Sequence, residues 1–220
     1  MIKLKHNKKE LTPMGIVKIY CYNCDKLRDR ELFERCYAAA GEQRKVKIDR
    51  LRFNSDKRLS LGADILFRHA LGEWADKPVK TNEYGKPYIE GCPIFFNLSH
   101  SGSIAMIAVS DTEIGCDVQI TSKPPLEVAQ RYFCESERTL IEQSDDRAKM
   151  FFRLWTLKES YIKMLGKGLS APLDSFEVQF KNGTPFITAD CTAAEFDISA
   201  EYCAAVCIKG NAVIDQPIKL

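Results

Sequence analysis

The constraint that narrows this chain most is the length of its apolar runs. Segments such as Ile104–Val109 and Cys203–Ile208 extend for six residues, whereas a membrane-spanning helix needs about 20. Short apolar runs of this kind read as buried strands, and between them lie stretches with the spacing of amphipathic helices. A strand at Ile16–Tyr22 precedes a helix from Asp25 to Gly41. A second helix, Asp56–Leu71, gathers Leu59, Ala63, Leu66, Phe67 and Ala70 on one face. Strands follow at Pro87–Ile89, Phe95–Ser99, Ile104–Ser110 and Ile114–Gln119. The second half places helices at Leu126–Tyr132, at Ser136–Gln143 with Glu135 or Ser136 as cap, and at Arg147–Leu165, which Gly166 ends. Its strands are Ser175–Phe180, Thr184–Thr188, Phe196–Ala200 and Tyr202–Ile208. No Pro, Gly or Ser-rich linker divides the chain, and each half holds helices with antiparallel-looking strands. The 220 residues are therefore expected to form an α+β protein of two similar subdomains, 1–110 and 111–220.

Charge excludes one function class. Lys and Arg total 32 against 30 Asp and Glu, a net +2, which is not the balance of a strongly basic nucleic-acid binder. Met1–Glu10 is polar and basic with no apolar core behind it, so no secretory signal is read and a soluble cytoplasmic protein is expected. Nine cysteines at irregular spacing would need an oxidising compartment to pair. Cys21 and Cys24 form a CxxC. A zinc site needs a second pair and a redox site needs a helix start behind a strand, so both are read as small apolar residues kept reduced.

Three segments hold residues capable of chemistry. On the strand Ile114–Gln119, Asp117 and Gln119 share a face; alone, Asp117 reads first as a strand-end aspartate facing water. On the helix around Phe151–Lys163, Glu159 and Lys163 stand one turn apart, which by itself is an ordinary surface pair. Trp155 and Tyr161 beside them, and Lys167 just past the helix end, make the segment a candidate for phosphoryl transfer. In Asn97-Leu98-Ser99-His100-Ser101-Gly102-Ser103, a histidine, hydroxyls and backbone N–H groups could meet an anion, or His100 could simply cap a turn. The run 44–58 adds seven Lys or Arg against two Asp, a local +5. It reads as a solvated helix face, except for Arg58, which stands at the start of the apolar face of the second helix, where a cation can serve a phosphate.

Together these pieces resemble the 4′-phosphopantetheinyl transferases, in particular the larger, pseudo-dimeric, surfactin-synthetase-activating type. Gly85-Lys86-Pro87, Phe96 through Gly102, Ile114-Gly115-Cys116-Asp117, and Trp155-Thr156-Leu157-Lys158-Glu159-Ser160 with Lys163 match family motifs in order. Gly166-Lys167-Gly168-Leu169 and Pro172-Leu173-Asp174-Ser175-Phe176 fit as well. The resemblance runs from Arg44 to Ile208.

The resemblance implies two α+β subdomains about a pseudo-twofold axis, a coenzyme A cleft between them, and a monomer. Asp117 and Glu159 would hold Mg²⁺ or Mn²⁺. Gln119 stands where many members carry Glu and would contribute a neutral oxygen or a water contact. Lys163 would meet the pyrophosphate, Arg58 and His100 the 3′-phosphate, Ser99 and Lys86 the nucleotide, with Lys45 and Lys47 as further phosphate contacts. Catalysis would rest on Glu159, Lys163 and Asp117, with Glu159 the better general base and Lys158 the weaker. The partner would be an acyl or peptidyl carrier protein, docked on Pro124–Phe133 with Arg131 supplying charge, unless Val128, Tyr132 and Phe133 are core. A coenzyme A pyrophosphate hydrolase and a binding module without catalysis are the rival readings.

Overall fold

The protein is described by a computed structural model over residues 15–220; Met1–Glu10, read above for its charge, lies outside them. In chain order the elements are β1 (Gly15–Asn23), α1 (Arg30–Ala39), α2 (Glu42–Asp49), α3 (Asn54–Leu71), β2 (Val79–Thr81), β3 (Pro87–Ile89), β4 (Phe95–Ser101), β5 (Ile104–Ser110) and β6 (Ile114–Ile120). They continue as α4 (Leu126–Tyr132), α5 (Glu135–Gln143), α6 (Arg147–Leu165), β7 (Val178–Lys181), β8 (Thr184–Ile187), β9 (Cys191–Phe196), β10 (Tyr202–Lys209), β11 (Ala212–Val213) and β12 (Ile218–Lys219).

Two sheets form the centre. The first has the order β11-β1-β5-β4, with β12 also beside β1; the second has β6-β10-β9. Strand β5 is antiparallel to both β1 and β4, whereas β11 and β12 run parallel to β1. Period-2 alternation sends Ile19, Cys21, Met106 and Ala108 of the first sheet into one core with Cys116, Val118, Ala204 and Val206 of the second. The outer face of the first sheet, Tyr20, Tyr22, Ala105 and Ile107, is covered by Leu61, Leu66 and Phe67 of α3. The outer face of the second, Cys203, Ala205 and Cys207, is covered by Leu154, Leu157 and Ile162 of α6. The result is an α+β arrangement of four layers, helix, sheet, sheet, helix.

Several boundaries differ from those expected. The helix read over Asp25–Gly41 is broken: Cys24–Arg28 is a 3₁₀ turn, and α1 starts afresh where the Asp29 carboxylate accepts from the Leu32 N–H at 2.8 Å. The basic run belongs to two helices, α2 and the start of α3, not to one face. Helix α5 is capped from Glu137, which accepts from the Cys134 N–H at 2.8 Å, and not by Glu135 or Ser136. The strand expected at Phe196–Ala200 lies instead at Cys191–Phe196, because pairing with β10 selects that register. Leu165 is exposed rather than core. The small strands β2, β11 and β12 carry too little pattern to be read from sequence.

All nine cysteines are free thiols. Cys21 faces the core between the sheets and Cys24 faces the α3 core, so the CxxC is split between two cores. Burial pushes each of these thiols up to about 12. No helix among the described residues is long and apolar enough to cross a membrane.

Candidate functional site

The site begins where the two sheets meet edge to edge. Strand β4 ends the first sheet and β6 ends the second, and they are joined by side chains in place of a backbone ladder. Asn97 Oδ1 accepts from the Cys116 N–H at 2.8 Å, Ser99 Oγ from Val118 N–H at 3.3 Å, and Ser101 Oγ from Ile120 N–H at 3.1 Å. Alternation on a strand puts residues 97, 99 and 101 on one side. The small polar residues of Asn97–Ser101 are thus spent on the seam, leaving His100 on the opposite face.

Behind β6 runs α6, and Gly115 is the point of closest approach. A Cβ there would lie 2.0 Å from Ser160 O and 2.3 Å from Met164 N. That closeness sets Asp117 against the helix face carrying Glu159 and Lys163. Asp117 is 1% exposed. Its Oδ1 accepts from Ser99 Oγ at 2.7 Å and Lys163 Nζ at 2.5 Å, and its Oδ2 accepts from Gln119 Nε2 at 3.2 Å. Gln119 Oε1 in turn accepts from Ser101 Oγ at 3.3 Å. Burial raises the Glu159 carboxyl, the Asp117 charge raises it further, and Lys163 opposes both. Burial works against the Lys163 ammonium, but Asp117 and Glu159 outweigh it and hold the group above its ordinary value.

Lys158 takes no part in this face. It is fully buried on the other side of α6, where Nζ lies 2.7 Å from Glu137 Oε1 and donates to Leu173 O at 2.7 Å and Phe176 O at 3.0 Å. An ammonium so enclosed cannot serve as a base for a substrate in the cleft, which corrects that expectation. Trp155 stacks on Phe133 and Phe151, and Tyr161 packs on Phe176, so both aromatics belong to the core. Within Pro124–Phe133, Ala129 and Phe133 are buried while Leu126 and Tyr132 are exposed.

Pro87 lines three cavities, one of which, of about 320 Å³, reaches Asn82, Lys86 and Met164. Another, of about 220 Å³, is walled by Tyr84, Gly85 and Lys86 on one side and Glu159, Lys163 and Gly166 on the other. The third, of about 610 Å³, is lined by Arg44, Lys47, Asp64 and Arg68. Lys47 therefore stands on a cavity, whereas Lys45 is held in a surface pair with Glu42 at 2.9 Å. Arg44, embedded in the basic run, was not singled out from sequence; it bonds Asp64 at 3.2 Å and reaches Ser60 Oγ at 3.4 Å. His100 is held below its ordinary value by lost hydration and by the Lys47 and Lys163 ammonium groups. Arg58 is half-buried on α3, within electrostatic reach of the Cys24 thiol. Lys86 Nζ donates to Met164 O at 2.9 Å and Ile114 O at 3.0 Å, and burial lowers it to about 8.

The oxygen donors around Asp117 are two carboxylates, Asp117 and Glu159, since Gln119 turns its amide nitrogen to Asp117 and its oxygen to Ser101. Among the described residues no cluster of three or more His, Cys, Asp or Glu is gathered for a metal. A hard cation that keeps waters and substrate oxygens fits such a set, since Mg²⁺ commonly uses one or two carboxylates. The Lys163 ammonium on Asp117 Oδ1 shows that the position already favours positive charge.

The protein is thus α+β, with Glu159, Lys163 and Lys86 lining a cleft and Asp117 buried behind Lys163. The profile of the 4′-phosphopantetheinyl transferase superfamily matches residues 113–207. The chain is 33% identical to the 4′-phosphopantetheinyl transferase Sfp of Bacillus subtilis (strain 168) over 205 residues, covering 87% of this chain and 92% of that one. It is 31% identical to the transferase psf-1 of Bacillus pumilus over 217 residues, covering 92% and 93%. A weaker likeness, TM-score 0.40 at 23% identity over 46% of this chain and 64% of the other, is to Thermotoga maritima holo-[acyl-carrier-protein] synthase. The chain belongs to the 4′-phosphopantetheinyl transferase family.

Proposed function

We propose that this protein transfers the 4′-phosphopantetheine group of coenzyme A to a serine of an apo acyl or peptidyl carrier protein, releasing 3′,5′-ADP. The observation that carries the proposal is the convergence of Asp117, Glu159 and Lys163 beside the 220 Å³ cavity, with the 610 Å³ cavity that holds Lys47 sharing Pro87 with it. The larger cavity, with Lys47 and Arg44, would take the anionic nucleotide end. The smaller would bring the pyrophosphate to Lys163.

Asp117 and Glu159 would hold Mg²⁺, with Gln119 reaching it through water, and the metal when bound offsets charge on the pyrophosphate. Glu159, its carboxyl raised by burial and by Asp117, would take the serine hydroxyl proton as the serine oxygen bonds to the β-phosphorus. The bond from that phosphorus to the bridging oxygen breaks, and 3′,5′-ADP departs with that oxygen. Lys163 would stabilise the charge that develops there, the main source of catalysis in phosphoryl transfer. The same reading divides the chain near residue 110 about a pseudo-twofold axis, with β11 and β12 crossing back to the first sheet. It also makes the protein a cytoplasmic monomer that docks its carrier beside the cleft.

The test is the intact mass of a purified apo carrier protein after incubation with this protein, coenzyme A and Mg²⁺. The expected result is the gain of one phosphopantetheine, abolished by EDTA and by Ser→Ala in the carrier. Release of 3′,5′-ADP without carrier modification would establish a hydrolase instead. Neither product, with acyl and peptidyl carriers and with Mn²⁺ as well, would leave a binding module.

A further inference from the structure

The hairpin β2–β3 is anchored to the body through β3, whose Ile89 is buried in the α3 core. Its strands are three residues each, and all of β2 is exposed. A two-stranded hairpin of this size is marginal in water without outside contacts. Yet the end of its turn, Tyr84–Lys86, forms one wall of the 220 Å³ cavity, facing Glu159 and Lys163 on α6, while Asn82 lines the neighbouring cavity of about 320 Å³ with Met164 and Gly166.

One side chain connects the two walls through both of its polar atoms. Asn82 Oδ1 accepts from the Tyr84 N–H at 3.0 Å and the Lys86 N–H at 2.9 Å, fixing the turn. Asn82 Nδ2 donates to Gly166 O at 2.8 Å, one of the carbonyls that the C-terminus of α6 leaves without a helical partner. Lys86 adds a second strut by donating to Met164 O at 2.9 Å and Ile114 O at 3.0 Å, a cation at a helix C-terminus. The fit is close: a Cβ on Gly166 would lie 2.8 Å from Lys86 Cδ and 3.4 Å from Asn82 Nδ2. Gly166 also holds a left-handed φ of 65°, so a side chain there is doubly disfavoured.

We propose that Asn82 is a positioning latch, seconded by Lys86, that fixes the width of the cleft between the β2–β3 turn and α6 and so sets coenzyme A affinity. The inference rests on the functional reading above and deepens it. Asn82 touches no reacting atom. Glu159 and Lys163 sit about one to two turns before Gly166, and Lys163 is held from β6 by Asp117, so the latch acts on substrate binding and not on the chemical step. Lys86 likewise acts through the carbonyls of α6 and β6 rather than on the nucleotide.

The experiment compares Asn82→Ser with Asn82→Ala in the full chain. Serine keeps an uncharged acceptor for the turn but is too short to reach Gly166 O; alanine removes both functions. For both variants the latch predicts a KM for coenzyme A raised about tenfold with kcat within twofold, and amide exchange across Val79–Ile89 about tenfold faster. Wild-type KM and wild-type exchange in Asn82→Ser would overturn it, because the turn alone would then suffice. Should the wild-type protein transfer nothing, the functional reading fails. The exchange comparison, which needs no substrate, then decides the latch by itself.

Discussion

Replacing Glu137 by glutamine should unfold this protein more readily than almost any other isosteric change. Glu137 and Lys158 are each 0% exposed and stand 2.7 Å apart. The lysine has three N–H donors, and three acceptors meet them: Glu137 Oε1, Leu173 O and Phe176 O. The carboxylate also accepts from the backbone N–H groups of Val178 and Cys134, both at 2.8 Å, tying β7 and the start of α5 to α6. Glu137→Gln removes the negative charge and leaves an ammonium in the core with only two neutral carbonyls. Breaking one partner of a buried pair costs about 3–5 kcal/mol, chiefly because the remaining charge cannot be hydrated. For a chain of this length each kcal/mol lowers the melting temperature by about 2–4 °C, so a fall of about 6–20 °C is expected. Urea unfolding should show the same loss as a lower midpoint at unchanged slope. Lys158→Met in the Glu137→Gln background should cost less than the sum of the two single changes, by about 0.5–3 kcal/mol of coupling. A loss under about 1 kcal/mol in Glu137→Gln would refute the reasoning, since it would mean that water reaches the ammonium. Because Lys158 points away from the cleft, KM for coenzyme A should not move in the folded protein.

Other changes probe the site itself. Glu159→Gln should lower kcat by about 10²–10⁴-fold, the range for a lost general base, with a far smaller change in coenzyme A affinity; equal turnover would remove Glu159 from that role. Gly115→Ala should destabilise by about 1–3 kcal/mol through overpacking of β6 on α6, read by thermal unfolding, and a neutral result would show that the helix can retreat. His100 should titrate below the ordinary histidine value by NMR, because lost hydration and the charges of Lys47 and Lys163 disfavour its imidazolium. Lys47→Gln should move that titration upward. A neutral ring at pH 7 must gain a proton to pair with a phosphate, so coenzyme A affinity should rise as pH falls through the His100 titration.

Legibility from sequence followed periodicity. The 3.6-residue pattern with an αL glycine at its end placed α6 at Arg147–Leu165, and the continuous apolar run placed β5 at Ile104–Ser110. Asp117, Glu159 and Lys163 stand out through the family resemblance of their motifs, since each alone reads as an ordinary surface group. Arg44 and Asn82 do not, because neither has a local signal: one is a cation among seven in its run, the other a turn asparagine. Lys158 misled for a related reason. Adjacent helix positions differ by about 100° in direction, and sequence does not say which of two neighbouring polar residues turns inward until the partner, Glu137 from a different helix, is in place.

Hydrophobic period is local, so the α+β content and the two long helices α3 and α6 were legible in the amino-acid sequence. How those pieces meet was not. The tertiary structure spent Asn97, Ser99 and Ser101 on a side-chain seam between two sheet edges. It returned β11 and β12 to the first sheet, and it closed β6 on α6 at Gly115 so that Asp117 and Lys163 touch. These are contacts between residues tens of positions apart, and their free energy comes from burying groups that are exposed until the whole chain has folded.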